Sequence, residues 1–249
     1  MKRVKRRIFS GAICEQVVFA VRDKTEVKDA KPGRVRFKTE AERIKHRNEI
    51  SRRRHLRSFQ ANFSPASLYS TMTFSNEYEV HTFEDAHRIA NNYCRRLLYA
   101  CPDATIFLYM GRGKGTQRIH FHLVTNNIPE EVLKEKWGFG GITRITHLRE
   151  HNYINSIDCG QDYSGLANYL FDHWTPEVGG HRWKAVGKVQ KPEPEDAKEC
   201  VRTYSLEKPP VAPKGYMLVD AFETGYGYQY FKYVVIPPKQ KRTRKKPEK

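Results

Sequence analysis

Apolar residues recur along this chain with two periods, and the switches between them mark out its elements. Residues 8–20 (IFSGAICEQVVFA) form a β-prone run that predicts a short strand or two, followed by a polar stretch to residue 41. Residues 42–57 (ERIKHRNEISRRRHLR) suit a helix with a charged face, and residues 67–74 (SLYSTMTF) suit a strand. Thr82 then offers an N-cap with Asp85 three residues on. Behind it Ala86, Ile89, Ala90, Tyr93 and Leu97 recur on one helical face, which predicts a helix ending before Pro102.

The second half alternates faster. Residues 105–110 (TIFLYM) and 118–124 (RIHFHLV) read as strands joined by a glycine-rich hairpin turn, GRGKGTQ. Pro129 suits the first position of a short helix reaching Trp137, residues 141–148 alternate as a strand, and residues 163–174 (YSGLANYLFDHW) have helical spacing. The hairpin forces antiparallel pairing, so the expected fold is α+β, a central antiparallel sheet with helices on one face. Four segments follow: a basic extension over 1–57, a central domain over 58–190, a proline- and charge-rich linker over 191–215, and an aromatic segment with a basic tail over 216–249.

Charge changes this picture. The 249 residues carry a formal net charge of +17. Residues 1–7, 42–57 and 239–249 hold +5, +5 and +6 of it, leaving a body close to neutral. Such clusters draw polyanions by counterion release without reading sequence, which favours nucleic acid as partner over a solubilising or membrane-surface role. No run approaches eighteen apolar residues, so no membrane span is expected. Five scattered cysteines without a CxxC pair argue against a disulfide scaffold or zinc knuckle and suit a reducing cytoplasm.

Candidate chemistry centres on His120-Phe121-His122. On a strand, residues i and i+2 share a face, so the two imidazoles project side by side while Phe121 faces the core. Two histidines on one rigid strand make half of a metal site, or else two ordinary surface histidines. Arg118 shares their face, where it can meet a phosphate, and Arg112 and Lys114 in the turn can touch a nucleic-acid backbone. The turn lacks P-loop spacing, and the chain lacks the deaminase H-x-E with P-C-x-x-C. Farther on, Tyr169, Asp172 and His173 share one helical stripe, where a tyrosine hydroxyl could attack a metal-polarised phosphate or serve only in packing.

In order and rough spacing, three blocks resemble the rolling-circle replication initiators of phages and bacterial mobile elements, members of the HUH endonuclease class. They are YSTMTF (69–74), RIHFHLV (118–124), and GLANYL followed by HRWKAVGKVQKPEPE. The resemblance covers about half of the chain. It implies an antiparallel sheet (HUH endonuclease or RRM-like) with His120 and His122 on a middle strand, Tyr169 as nucleophile on a flanking helix, and Mg2+ or Mn2+ between them. The implied partners are a single-stranded DNA origin and the host replication machinery. The pattern departs in two places. Met110-Gly111-Arg112 carries no glutamate before the glycine turn, which leaves Asp172 and His173 as the nearest candidates for a third ligand. Asp172 also stands where many relatives carry a lysine, and Lys184 could supply that charge.

The expected activity is nicking of single-stranded DNA through a 5′-phosphotyrosine. The rival readings are a DNA-binding protein of the same fold without cleavage and an HxH metal hydrolase of a small substrate. Tyr163 competes with Tyr169 as nucleophile, but six residues along a helix they differ by about 240° in direction. Tyr169 lies inside the matching segment, so it is the expected nucleophile.

Overall fold

The computed structural model describes residues 1–24, 26–28, 30–32, 39–78, 80–113, 118–173, 182–224 and 227–237. Lys114 and the tail over 239–249 lie outside the described residues.

The chain opens with a hairpin of β1 (Lys2–Ser10) and β2 (Ile13–Val21), paired from Lys2 with Val21 to Ser10 with Ile13. Gly11 turns it at φ +53°, and a Cβ there would lie 2.1 Å from the backbone oxygen of Gln60. Only glycine tolerates both that φ and that approach. Gln60 belongs to α1 (Glu40–Asn62), whose N-cap Thr39 accepts a hydrogen bond from the Glu42 N–H. Next come β3 (Leu68–Thr73), α2 (Phe83–Ala100), β4 (Thr105–Arg112), β5 (Ile119–Asn126), α3 (Glu130–Lys136) and β6 (Ile142–His147). The chain continues through β7 (Tyr153–Ile154), β8 (Ile157–Asp158), α4 (Ser164–Asp172), β9 (Lys184–Gly187), β10 (Lys198–Glu199), β11 (Tyr216–Glu223) and β12 (Gln229–Val235).

Among the described residues the strands make two five-stranded antiparallel sheets and the small β7–β8 hairpin. The central sheet runs β6-β3-β5-β4-β9, which puts the HFH strand β5 in its middle. The second sheet runs β10-β1-β2-β12-β11 and joins the two ends of the chain. No helix among the described residues is long and apolar enough to cross a membrane.

Alternation along the central strands gives each face its own core. Met72, Leu108, Met110, Phe121 and Leu123 point to one side, where Ala86, Ala90, Tyr93 and Leu97 of α2 and Leu133 of α3 close over them. The periodicity of α2 is met as expected, with Thr82 accepting from the Asp85 N–H. On the opposite side Phe107, Tyr109 and Val124 meet Phe59 and Phe63 at the end of α1 and Tyr163, Ala167 and Leu170 of α4. The fold is α+β and antiparallel as expected, but helices cover both faces of the central sheet, not one. The four are split because the segments flanking Phe59 and Ala167 each present an apolar stripe to a second buried face that sheet alternation creates.

The segment boundaries expected from composition also differ from the structure. The strands expected over 8–20 are present, and β1 reaches back to Lys2 through the basic residues. Their charges hid the pattern, since Val4 and Ile8 are the apolar positions of β1 that face inward. The arginines of β1 have local partners: Arg3 donates to Gln229, Arg7 to Gln16, and Arg6 to the Lys28 carbonyl. The proline-rich stretch is no free linker either. It contributes β10, and Tyr204 and Ala212 cover Cys14, Val18, Phe231 and Tyr233 on the outer face of the second sheet. Pro129 is the N-cap of α3, with ψ 149°, so the helix starts one residue later than expected.

Candidate metal centre

The site lies on the α1/α4 face of the central sheet. Register there sets Tyr69, Thr71 and Thr73 of β3 beside Val124, His122 and His120 of β5, with Tyr109 and Gly111 of β4 on the other flank. His173, the C-cap of α4, comes down over this surface. A Cβ on Gly111 would meet the His173 imidazole at 2.6 Å, so the missing side chain at 111 makes room for the ring.

The ligand nitrogens of His120, His122 and His173 all lie within 4.8 Å of one another. Nε2 of His120 and Nε2 of His173 are 2.7 Å apart. The His120 Nδ1 faces the Arg118 carbonyl at 3.4 Å. His122 Nδ1 stands 2.8 Å from the Tyr69 hydroxyl and 3.1 Å from Thr71 Oγ1, and the Tyr69 ring stacks on the imidazole. Its Nε2 is buried and has no hydrogen-bond partner among the described residues. A proton on Nδ1, donated to either oxygen, leaves that Nε2 as an uncommitted lone pair. Oriented imidazoles of this kind are what a metal site requires.

The electrostatics agree. Burial, reinforced by His173 and His120, pushes the His122 imidazole down to about 3, and burial also lowers His120. Both are neutral at pH 7 and available as ligands. The donor set is nitrogen alone, which suits a divalent transition ion and is a poor match to Mg2+, an oxygen-seeking ion.

Tyr169 stands at the mouth of this cluster. Its ring centroid is 5.8 Å from that of His173 and 6.1 Å from that of His122, and 53% of the residue is exposed. Tyr163 is elsewhere, 2% exposed in the core beside Phe59, and burial raises its phenol far above the ordinary value. Asp172 turns away from the histidines to a two-pronged ion pair with Arg52, at 2.8 and 2.5 Å. Of the two candidates for a third ligand, the structure brings His173 to the site. The two are adjacent in sequence, but about 100° of helix rotation separates their directions.

The basic residues expected to meet DNA are dispersed. Arg112 lies over the Phe83 ring on the α2 side of the sheet, 4.7 Å from its centroid. Lys184 donates to Asn91 of α2 at 2.7 Å and so also faces away from the histidines. Arg118 donates to the Phe74 carbonyl at 2.8 Å. Sequence reasoning missed Arg144, which pairs across from Thr71 on the site face, and Arg52, which holds α4 through Asp172. The signal for Arg144 was its place in the alternating run GITRITHL.

No family model, curated protein or solved structure matches this chain.

Proposed function

We propose that this protein is a metal-dependent strand transferase that nicks single-stranded DNA, with Tyr169 as nucleophile and His120, His122 and His173 as metal ligands. The observation that carries the reading is the exposed Tyr169 ring set against two of three converging imidazoles. An ion held there supplies positive charge to the non-bridging oxygens of a scissile phosphate. Mn2+ is the better choice of the two ions expected, because all three donors are imidazoles.

The residues divide the work. Tyr69 and Thr71 fix the His122 ring, and Arg52 fixes the last turn of α4 through Asp172. Tyr169 needs no large movement to reach a phosphate seated over the histidines. Its oxygen bonds to phosphorus, the bond from phosphorus to O3′ breaks, and the phenolic proton passes to the departing 3′ oxygen. The products are a 5′-phosphotyrosine and a free 3′-OH.

The test uses labelled single-stranded DNA with Mn2+, resolved on a denaturing gel. Wild-type protein is expected to form a covalent adduct, Tyr169→Phe to form none while still binding DNA, and Tyr163→Phe to retain it. His120→Ala with His122→Ala is expected to abolish the adduct. An adduct that persists in Tyr169→Phe overturns the assignment.

A further inference from the structure

Next to the histidines, a groove of about 400 Å3 runs from Tyr69 along β6 to the β7–β8 hairpin and the first turn of α4. The geometry points to this groove as the seat of a nucleotide of single-stranded DNA flanking the scissile phosphate, with the Tyr153 ring stacking on its base and Arg144 and Arg149 contacting backbone phosphates. The inference rests on the reading of Tyr169 as a DNA nucleophile and specifies how the substrate strand is held.

Three independent features support it. The first is continuity: Tyr69 lines the groove, and its hydroxyl is the one that contacts His122. Leu166, on the opposite wall, lies one helical turn before Tyr169. A strand in the groove therefore leads directly to the metal centre.

The second is charge. Arg144 and Arg149 are exposed, and neither has a carboxylate partner among the described residues. The acidic group in the wall, Asp162, is neutralised by Lys232 Nζ at 2.7 Å. The net lining is cationic.

The third is the hairpin itself. Two adjacent left-handed residues, Asn155 (φ 47°) and Ser156 (φ 65°), turn β7 into β8, a geometry matched to strand twist. Its base is tied by Asn152 and Gly160, by Cys159 N–H to the Asn152 carbonyl, and by His151 with Asp158 at 2.7 Å. Yet its tip leaves Tyr153, Ile154 and Ile157 exposed, at 61%, 39% and 54%. A braced hairpin that displays an aromatic ring beside these two guanidinium groups matches the recurring plan of single-strand binding, a cationic track with a stacking platform. An acidic peptide would use the arginines but has no need of the ring.

The experiment measures binding of a fluorescent oligonucleotide in EDTA, so that cleavage does not enter, with Tyr169→Phe as background. Tyr153→Ala is expected to weaken single-strand affinity about tenfold and Tyr153→Phe to restore it, as a stacking contact requires. Arg144→Ala and Arg149→Ala are each expected to reduce the log–log salt slope by about 0.7. Tyr99→Ala, another exposed tyrosine on α2, serves as control and leaves affinity unchanged. Unchanged affinity and slope in the groove variants overturn the inference, as does an equal loss on an acidic peptide or duplex of the same length. A groove effect without any wild-type adduct in Mn2+ removes the nicking reading alone; adduct formation without a groove effect removes the groove alone.

Discussion

Single side chains at this site owe their roles to neighbours that alternation alone does not reveal. His120 and His122 are legible from sequence because a strand repeats every two residues, and Tyr169 because it shares a helical stripe with His173. The choice of His173 over Asp172, and the retirement of Tyr163 into the core, depend on where α4 begins and how it is rotated. Buried His55 was not singled out at all. Its Nε2 meets the Tyr109 hydroxyl at 2.7 Å inside a cage of Phe59, Phe107, Phe171 and Trp183. Burial, with the nearby Arg52 charge adding to it, pushes this imidazole down to about 3. The unfolded chain takes a proton near pH 6.5 that the folded chain refuses until about 3, so His55 costs no stability above pH 6.5 and progressively more as pH falls through that window. Between pH 6.5 and pH 5 the loss from this one group is expected to be about 2 kcal/mol. Urea unfolding at the two values should show it, and His55→Phe should shrink the difference while the shared acid sensitivity of His122 remains.

Helix α1 does more than its sequence suggests. Read as a basic stripe, it touches both sheets. Phe59 and Phe63 enter the central core, while Arg57 pairs with the buried Glu15 of β2 and Arg53 lies over the Phe222 and Tyr230 rings of the second sheet. Glu15 accepts from Tyr230 as well, at 2.7 Å. These cationic side chains are committed to contacts within the fold. Glu15→Ala strands a partly buried guanidinium and a buried hydroxyl, and denaturant unfolding should register a loss of about 3–5 kcal/mol. Glu15→Gln, which still accepts hydrogen bonds, should lose less. Equal losses in the two variants would mean that the carboxylate charge, not hydrogen bonding, holds α1 in place.

Across the whole molecule, the least legible feature is that distant segments share a sheet. Local patterns identified α2, β3 and the β4–β5 hairpin because each is complete within about twenty residues. The pairing of β2 with β12 joins residues more than two hundred positions apart, and no periodicity encodes a partner that far away. The basic N-terminal run belongs to that same sheet. On the DNA-nicking proposal, removing 239–249 is expected to lower the salt slope of DNA binding by about 0.7 for each phosphate the tail neutralises. Removing residues from 229 onward takes away β12, and thermal unfolding should then lose its cooperative transition. A tail deletion with an unaltered slope would assign DNA binding to the body of the protein alone.

The bond from Lys232 to Asp162 gives that long-range pairing a consequence in time. Asp162 accepts the Ser164 N–H at the head of α4, and Lys232 of β12 holds both Asp162 and Ser164. A ribosome releases β5 and its histidines more than a hundred residues before it releases Lys232. The strand bearing His120 and His122 can therefore form during translation, whereas the helix bearing Tyr169 and ending at His173 gains its last anchor only after β12 has emerged. Growing chains carry the parts of the histidine cluster before they carry the means to fix them, and Tyr169 is secured last.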